Sequence, residues 1–313
     1  MVLREMMLGT RDRFDYFQCR ACETIQIRDI PGYMGSYYPA TYYSFAQSQE
    51  QLASPLERFA RAVLFRAVIR PSYQGNGRWS DLLGSLELKS LSVEAVGRAK
   101  LPTTARVLEV GSGTGWLLEA LEALGFRRLL GVDPFLPAEG HRGEVTLLKK
   151  DVSDLDPAEV FDLIILHHSL EHVPDPIGAL GMVRRHLSIR GSAVVAMPII
   201  GEAYRAYGTN WFQLDPPRHL HVFSVKGFEI ALARSGLRLA GSYFNSTAAQ
   251  FRVSEEYSRD IPLNRPGLPL VRPLSSLLTE GSYRARARIL NRTGQGDQAV
   301  FYLRQNPQRN EAS

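Results

Sequence analysis

Val107-Leu-Glu-Val-Gly-Ser-Gly-Thr-Gly115 runs without a break into Trp116-Leu-Leu-Glu-Ala-Leu-Glu-Ala-Leu124, and this junction decides the fold. Arg106 to Val110 predicts an apolar strand, and the spacing of Leu117, Leu118, Leu121 and Leu124 predicts a helix over 116–124. Three glycines at alternate positions let the backbone turn sharply and come close to a ligand. The helix behind them aims its unpaired N–H groups at the same point. That arrangement suits a nucleotide-like cofactor.

Working outward, the strand–loop–helix pattern repeats. Leu129 to Val132, Val145 to Leu148, Phe161 to Leu166, Ser192 to Met197 and Leu237 to Phe244 read as strands. Ile177 to Leu187 and Val225 to Ser235 read as helices between them. Short apolar strands alternating with amphipathic helices predict an α/β, doubly wound, mostly parallel sheet covered on both faces. A last strand, Gln298 to Arg304, follows a long polar and Pro-rich stretch and suits an antiparallel addition, the seventh strand.

Upstream, residues 1–48 read as an irregular arm, and 49–99 as a helical cap. The cap begins on the helical spacing of Leu52, Leu56, Phe59 and Val63 behind Ser54-Pro55. Residues 100–305 then form the core, with insertions at 201–224 and 249–296.

Around the glycine loop, three acids narrow the choice of cofactor. The spacing is G-x-G-x-G, not the dinucleotide G-x-G-x-x-G. Glu109 stands two residues before Gly111, where a carboxylate suits an ammonium group and would repel a pyrophosphate. Asp133 ends the second strand about 20 residues after the loop, suited to a ribose diol. Asp151, beside Val152, closes the third strand and is placed to accept from an adenine amino group.

With these motifs the sequence resembles the class I S-adenosylmethionine-dependent methyltransferases over about residues 100–245, a Rossmann-like fold. The resemblance implies S-adenosylmethionine as cofactor. Gly111, Ser112, Gly113 and Gly115 would wrap its methionine part, Glu109 its amino group, Asp133 its ribose, and Asp151 and Val152 its adenine. Leu166-His-His-Ser-Leu-Glu-His-Val-Pro-Asp-Pro176 resembles the fourth motif of small-molecule members, with His167 and His168 facing the cofactor sulfonium or the acceptor.

A neutral imidazole near pH 7 can take a proton from an acceptor hydroxyl, which makes His168 a candidate base beside a structural reading of the same ring. Trp211-Phe-Gln-Leu-Asp-Pro-Pro-Arg-His-Leu-His-Val-Phe-Ser224 resembles an element of a subfamily linked to bacterial polysaccharide and surface-glycan synthesis. There Arg218 could meet an anionic acceptor and His219 or His221 could act as base, or the paired prolines could simply set a rigid loop. The tyrosines at 33, 37, 38, 42 and 43 suit either a lid or an aromatic strip packed on the core.

No metal is expected. Cys19-x-x-Cys22 is half a zinc knuckle, and these are the only two cysteines in 313 residues. Quinone-precursor O-methyltransferases that bind a divalent metal show Glu-x-x-Glu-His where this chain has His168-x-x-Glu171-His172, so the first carboxylate is missing.

Composition sets the remaining bounds. With 44% hydrophobic and 22% charged residues the chain can build a large core without disulfides, and a reducing cytoplasm is the expected compartment. No stretch approaches the roughly 18 apolar residues of a membrane span. The net charge of +5 is scattered, so nucleic acid is not an expected partner. The expected reaction is methyl transfer to a small molecule, foremost a sugar or glycan-precursor hydroxyl. The alternatives are a quinone-like phenol, a cofactor-binding scaffold without catalysis, and a nicotinamide oxidoreductase. Oligomeric state is left open.

Overall fold

Alternation in Arg13-Phe-Asp-Tyr-Phe-Gln18 buries Phe14 and Tyr16 and exposes Arg13, Asp15 and Phe17, the signature of a half-buried strand. The arm is therefore not irregular. In a computed structural model, which describes residues 1–39, 69–74, 85–264 and 274–306, it forms β1 (Val2–Arg4), β2 (Arg13–Gln18) and β3 (Ile25–Ile27). These pair antiparallel, and His221–Val222 of the 201–224 insertion adds a fourth strand beside Ile25 and Gln26. Strands of three residues carry little local signal, and the fourth lies almost two hundred residues away. Pairing decides this sheet.

The main elements follow in order: α1 (Ser85–Gly97), β4 (Arg106–Val110), α2 (Trp116–Ala123), β5 (Arg128–Val132), β6 (Gly140–Arg142), β7 (Val145–Leu148), β8 (Phe161–His167), α3 (Pro176–His186) and β9 (Leu187–Pro198). Then come α4 (Glu202–Tyr207), β10 (His221–Val222), α5 (Val225–Ser235), β11 (Leu237–Phe244), α6 (Ala249–Ser258), α7 (Leu274–Arg292) and β12 (Gln298–Gln305). The large sheet has the order β11-β12-β9-β8-β4-β5-β7-β6. β9, β8, β4, β5 and β7 run parallel, and β12 is antiparallel to both its neighbours. Among the described residues the sheet thus has eight strands, one more than expected. The addition is β6, a three-residue edge strand folded back on β7 through Gly143.

Successive side chains of one strand feed two separate cores. Ile164 and Leu166 of β8 pack with Leu180 and Val183 of α3 and Phe228 and Leu232 of α5. Leu163 and Ile165 of the same strand pack with Val93 and Val96 of α1 and Leu117, Leu118 and Leu121 of α2. A strand buried on both faces reads as a continuous apolar run, which is why Phe161 to Leu166 was legible.

The polar stretch after β11 is largely helical. α6 buries Phe251, Val253 and Tyr257, and α7 sets Ala287 and Leu290 against Phe251. Serine, glycine and four arginines interrupt the apolar residues of α7, so its helical period is faint. Of the expected cap, one turn around Ile69–Tyr73 and α1 are seen. The rest of it, and Tyr42 and Tyr43, lie outside the described residues. Among the described residues no helix is long and apolar enough to cross a membrane.

Candidate active site

The glycine loop leaves β4 with three backbones in the left-handed region, at φ 73° for Gly111, 51° for Gly113 and 79° for Gly115. L side chains rarely adopt that conformation. Gly111 has a second reason to be glycine: a Cβ there would stand 2.5 Å from the Cβ of Ser169, so the loop after β4 and the loop after β8 touch. Gly115 opens α2 as its N-cap. Gly111 N–H donates to the Val132 carbonyl at 2.8 Å, which ties the loop to the neighbouring strand β5.

Asp133, at the end of β5, accepts from Gly113 N–H at 2.9 Å and from Phe135 N–H at 2.8 Å. Each oxygen keeps a second lone pair for a ligand. Glu109 is buried, and its Oε2 has no hydrogen-bond partner, nor do the hydroxyls of Ser112 and Ser169. Burial, with a smaller contribution from Asp133, raises the Glu109 pKa well above its usual value. A buried carboxyl oxygen and two buried hydroxyls around a glycine turn are polar groups that a polar, cationic ligand would satisfy. These residues fit S-adenosylmethionine.

The third acid sits differently. Asp151 is exposed and caps a short turn, with Oδ1 accepting from Ser153 N–H at 3.0 Å. The Val152 side chain packs in the core. Phe135, which the sequence reading passed over, is 72% exposed beside Asp133, and Tyr38 of the arm stacks on it with ring centroids 6.1 Å apart. Asp133-Pro134-Phe135 was the available signal: a large apolar residue directly after the strand-ending acid.

At the carboxyl end of β8 the two histidines part. His167 turns inward, and its Nε2 lies 2.7 Å from the Ser92 hydroxyl of α1. Burial, then the neighbouring His168, push its pKa down to about 3. The unfolded chain takes up this proton near pH 6.5, whereas the fold resists it until about pH 3. The ring's contribution to stability is therefore complete above pH 6.5 and is lost as pH falls toward 3, by about 1.4 kcal/mol per pH unit. His167→Gln should lose that dependence, so its unfolding free energy should converge on the native value as pH drops. Urea titrations between about pH 7 and pH 5 check this; parallel pH profiles for the two proteins would refute it.

His168 keeps 24% of its side chain exposed and adopts φ 51°. A non-glycine residue held there is a strained feature of the kind that clusters at functional sites. Its Nδ1 lies 3.1 Å from Glu171 Oε1. Burial alone would raise the Glu171 pKa, but the His168 hydrogen bond and the nearby rings of His168, His172 and His219 outweigh it and bring it down to about 2. Glu171 is thus a buried anion that holds the His168 ring.

The 201–224 insertion closes over this end of the sheet. Trp211 Nε1–H donates to Asp297 Oδ2 at 2.9 Å, pinning the insertion to the start of β12. Arg218 is fully buried, with Nε on Asp215 Oδ2 at 2.9 Å and Nη2 on Glu5 Oε1 at 2.9 Å. It therefore does not face an acceptor, as the sequence reading allowed; it fastens the insertion to the arm. His219 is buried too, with Nδ1 on the Gln213 carbonyl at 2.7 Å and its own carbonyl accepting from the Tyr16 hydroxyl at 2.9 Å. Burial, then His172, bring its pKa down to about 4. His221 lies 3.2 Å from the Pro174 carbonyl.

A parallel sheet with a glycine turn at the end of its central strand, a strand-ending acid beside it and an antiparallel penultimate strand define a Rossmann-like nucleotide-cofactor fold of the class I methyltransferase type. Residues 85–240 match the family described as a methyltransferase domain, so the chain carries an S-adenosylmethionine-dependent methyltransferase domain. A curated relative, the ubiquinone biosynthesis O-methyltransferase of Rhodopseudomonas palustris, is 28% identical over 178 residues; the match spans 48% of this chain and 66% of the relative. Among solved structures, a chain from the complex of the Haloferax volcanii Trm112 methyltransferase activator with a candidate methyltransferase shares the fold. Its TM-score is 0.50 at 17% identity, over 77% of this chain and 97% of that one. An S-adenosylmethionine-dependent methyltransferase from Mesorhizobium loti scores 0.44 at 19% identity, over 70% of this chain and all of that one.

Proposed function

We propose that this protein transfers a methyl group to a hydroxyl oxygen of a small molecule. The observation that carries the reading is the His168–Glu171 pair at the carboxyl end of β8, one loop contact away from Gly111. When bound, S-adenosylmethionine supplies a methyl group activated by its sulfonium centre. Glu109 and Ser112 hold its amino acid end, and Asp133 its ribose. The exposed ring of Phe135 offers the adenine an apolar wall, with Asp151 further along the same edge.

His168 accepts the acceptor's proton at Nε2, because Glu171 holds its Nδ1–H in place. His167, turned toward Ser92, lines the same floor. His219 is the weaker candidate for base, since its ring is buried and strongly resists protonation.

Two acceptor classes remain in play. The curated relative's name favours a phenol of the quinone-precursor kind. The resemblance of the Trp211–Ser224 element to glycan-linked methyltransferases favours a sugar hydroxyl.

Calorimetric titration with S-adenosylhomocysteine, beside NAD, tests the cofactor; labelled methyl transfer to panels of phenols and sugars tests the acceptor. Asp133→Ala should weaken S-adenosylhomocysteine binding by about 1.5–3 kcal/mol, the range for hydrogen bonds to a charged group. Unchanged affinity would remove Asp133 from the ribose site. Binding without transfer to any hydroxyl would favour a scaffold over an enzyme.

A further inference from the structure

Behind the His168–Glu171 pair lie two more imidazoles whose orientation the methyl-transfer reading does not explain. The Nδ1 of His172 is 2.8 Å from the Arg218 carbonyl, and the Nδ1 of His219 is 2.7 Å from the Gln213 carbonyl. A carbonyl can only accept, so each ring carries its hydrogen on Nδ1 and a lone pair on Nε2. Backbone carbonyls that fix histidine tautomers in this way are the usual second layer of a metal site. The two rings lie 4.8 Å apart, centroid to centroid.

Beside them, Glu171 gives one oxygen to His168, while its other oxygen is buried without a partner. One ligand atom from each of Glu171, His172 and His219 lies within 4.8 Å of the other two. Two bonds of about 2.1 Å reach across at most about 4.2 Å, so small ring rotations would close the set on a cation. Charge points the same way: buried Arg218 is paired with Glu5 and Asp215, while the carboxylate of buried Glu171 lies among the rings of His168, His172 and His219.

We propose that Glu171, His172 and His219 form a binding site for a divalent transition-metal cation, with zinc the best match to two imidazoles and one carboxylate. Glu171 and His172 are neighbours in the chain, and His219 joins them from the distant insertion, a convergence invisible along the sequence. With three protein ligands the cation would keep an open position, where a hydroxyl oxygen could bind and become more acidic. This reading goes beyond methyl transfer itself, and cofactor binding does not depend on it.

The test is metal binding by the full chain. After chelator treatment and desalting, cobalt(II) should bind at one equivalent and give the visible absorption of a low-symmetry nitrogen–oxygen site. Zinc should displace it. His172→Ala and the near-isosteric Glu171→Gln, each checked for folding by circular dichroism, should weaken cobalt binding by more than about tenfold, since loss of even an outer partner costs that much. His141→Ala, at the edge strand β6, should leave it unchanged. S-adenosylhomocysteine binding, followed on the same samples, should persist without metal. No cobalt uptake, or uptake that survives both ligand variants and vanishes with Cys19→Ser, overturns the site.

Discussion

His168→Gln is expected to lower kcat by about 100- to 10,000-fold, the usual contribution of a positioned general base, while leaving S-adenosylhomocysteine affinity unchanged. Glutamine keeps the polarity and approximate volume of the ring but cannot take up the proton of an acceptor hydroxyl. The geometry argues for a large effect. His168 is held at φ 51°, with its backbone N–H on the Ala196 carbonyl at 2.8 Å and its Nδ1 on buried Glu171. A side chain fixed at both ends reaches the acceptor without further loss of entropy. The measurement is steady-state transfer to the acceptor that the screen identifies. Equal kcat for variant and native protein would remove His168 from the chemistry and leave it as a structural histidine.

Arg218→Met should destabilise the fold by about 3–5 kcal/mol, because removing one member of a buried ion network leaves the others uncompensated. Arg218 is the cation between Glu5 of the arm and Asp215 of the insertion, and Nη1 also reaches the Tyr37 carbonyl at 3.3 Å. Asp215 depends on it directly: burial raises its pKa, but the Arg218 charge and hydrogen bond outweigh that and hold it below the usual value. Glu5 is partly protected, because the backbone N–H groups of Leu8, Gly9 and Thr10 also donate to its carboxylate. Urea unfolding at neutral pH measures the loss. If stability is instead unchanged and only the KM for the acceptor rises, Arg218 binds the acceptor after all.

The methyltransferase core was legible because its signals are local. The apolar run 161–166, the glycines at 111, 113 and 115 and the acids at 109 and 133 each act within a few residues of themselves. They fixed the parallel sheet and the kind of cofactor. The edge strand β6 escaped notice because three residues are too short to show a period. The helix α7 escaped because serines, glycine and arginines are interspersed among its apolar residues and blur the helical period.

Around the carboxyl end of β8, distance along the chain hid what distance in space decides. Arg218, His219 and His221 looked alike as polar residues of one loop. Only packing shows that the first binds an arm residue 213 positions away, the second is buried against His172, and the third lies on the Pro174 carbonyl. The arm looked irregular because its sheet is completed by a strand from the insertion. Sequence alone determined the class of the domain and its cofactor, since strand, turn and helix-cap chemistry acts between near neighbours. Tertiary structure decided which histidine keeps part of its ring exposed and which groups converge beside it, since burial and charge pairing depend on what the folded chain brings together.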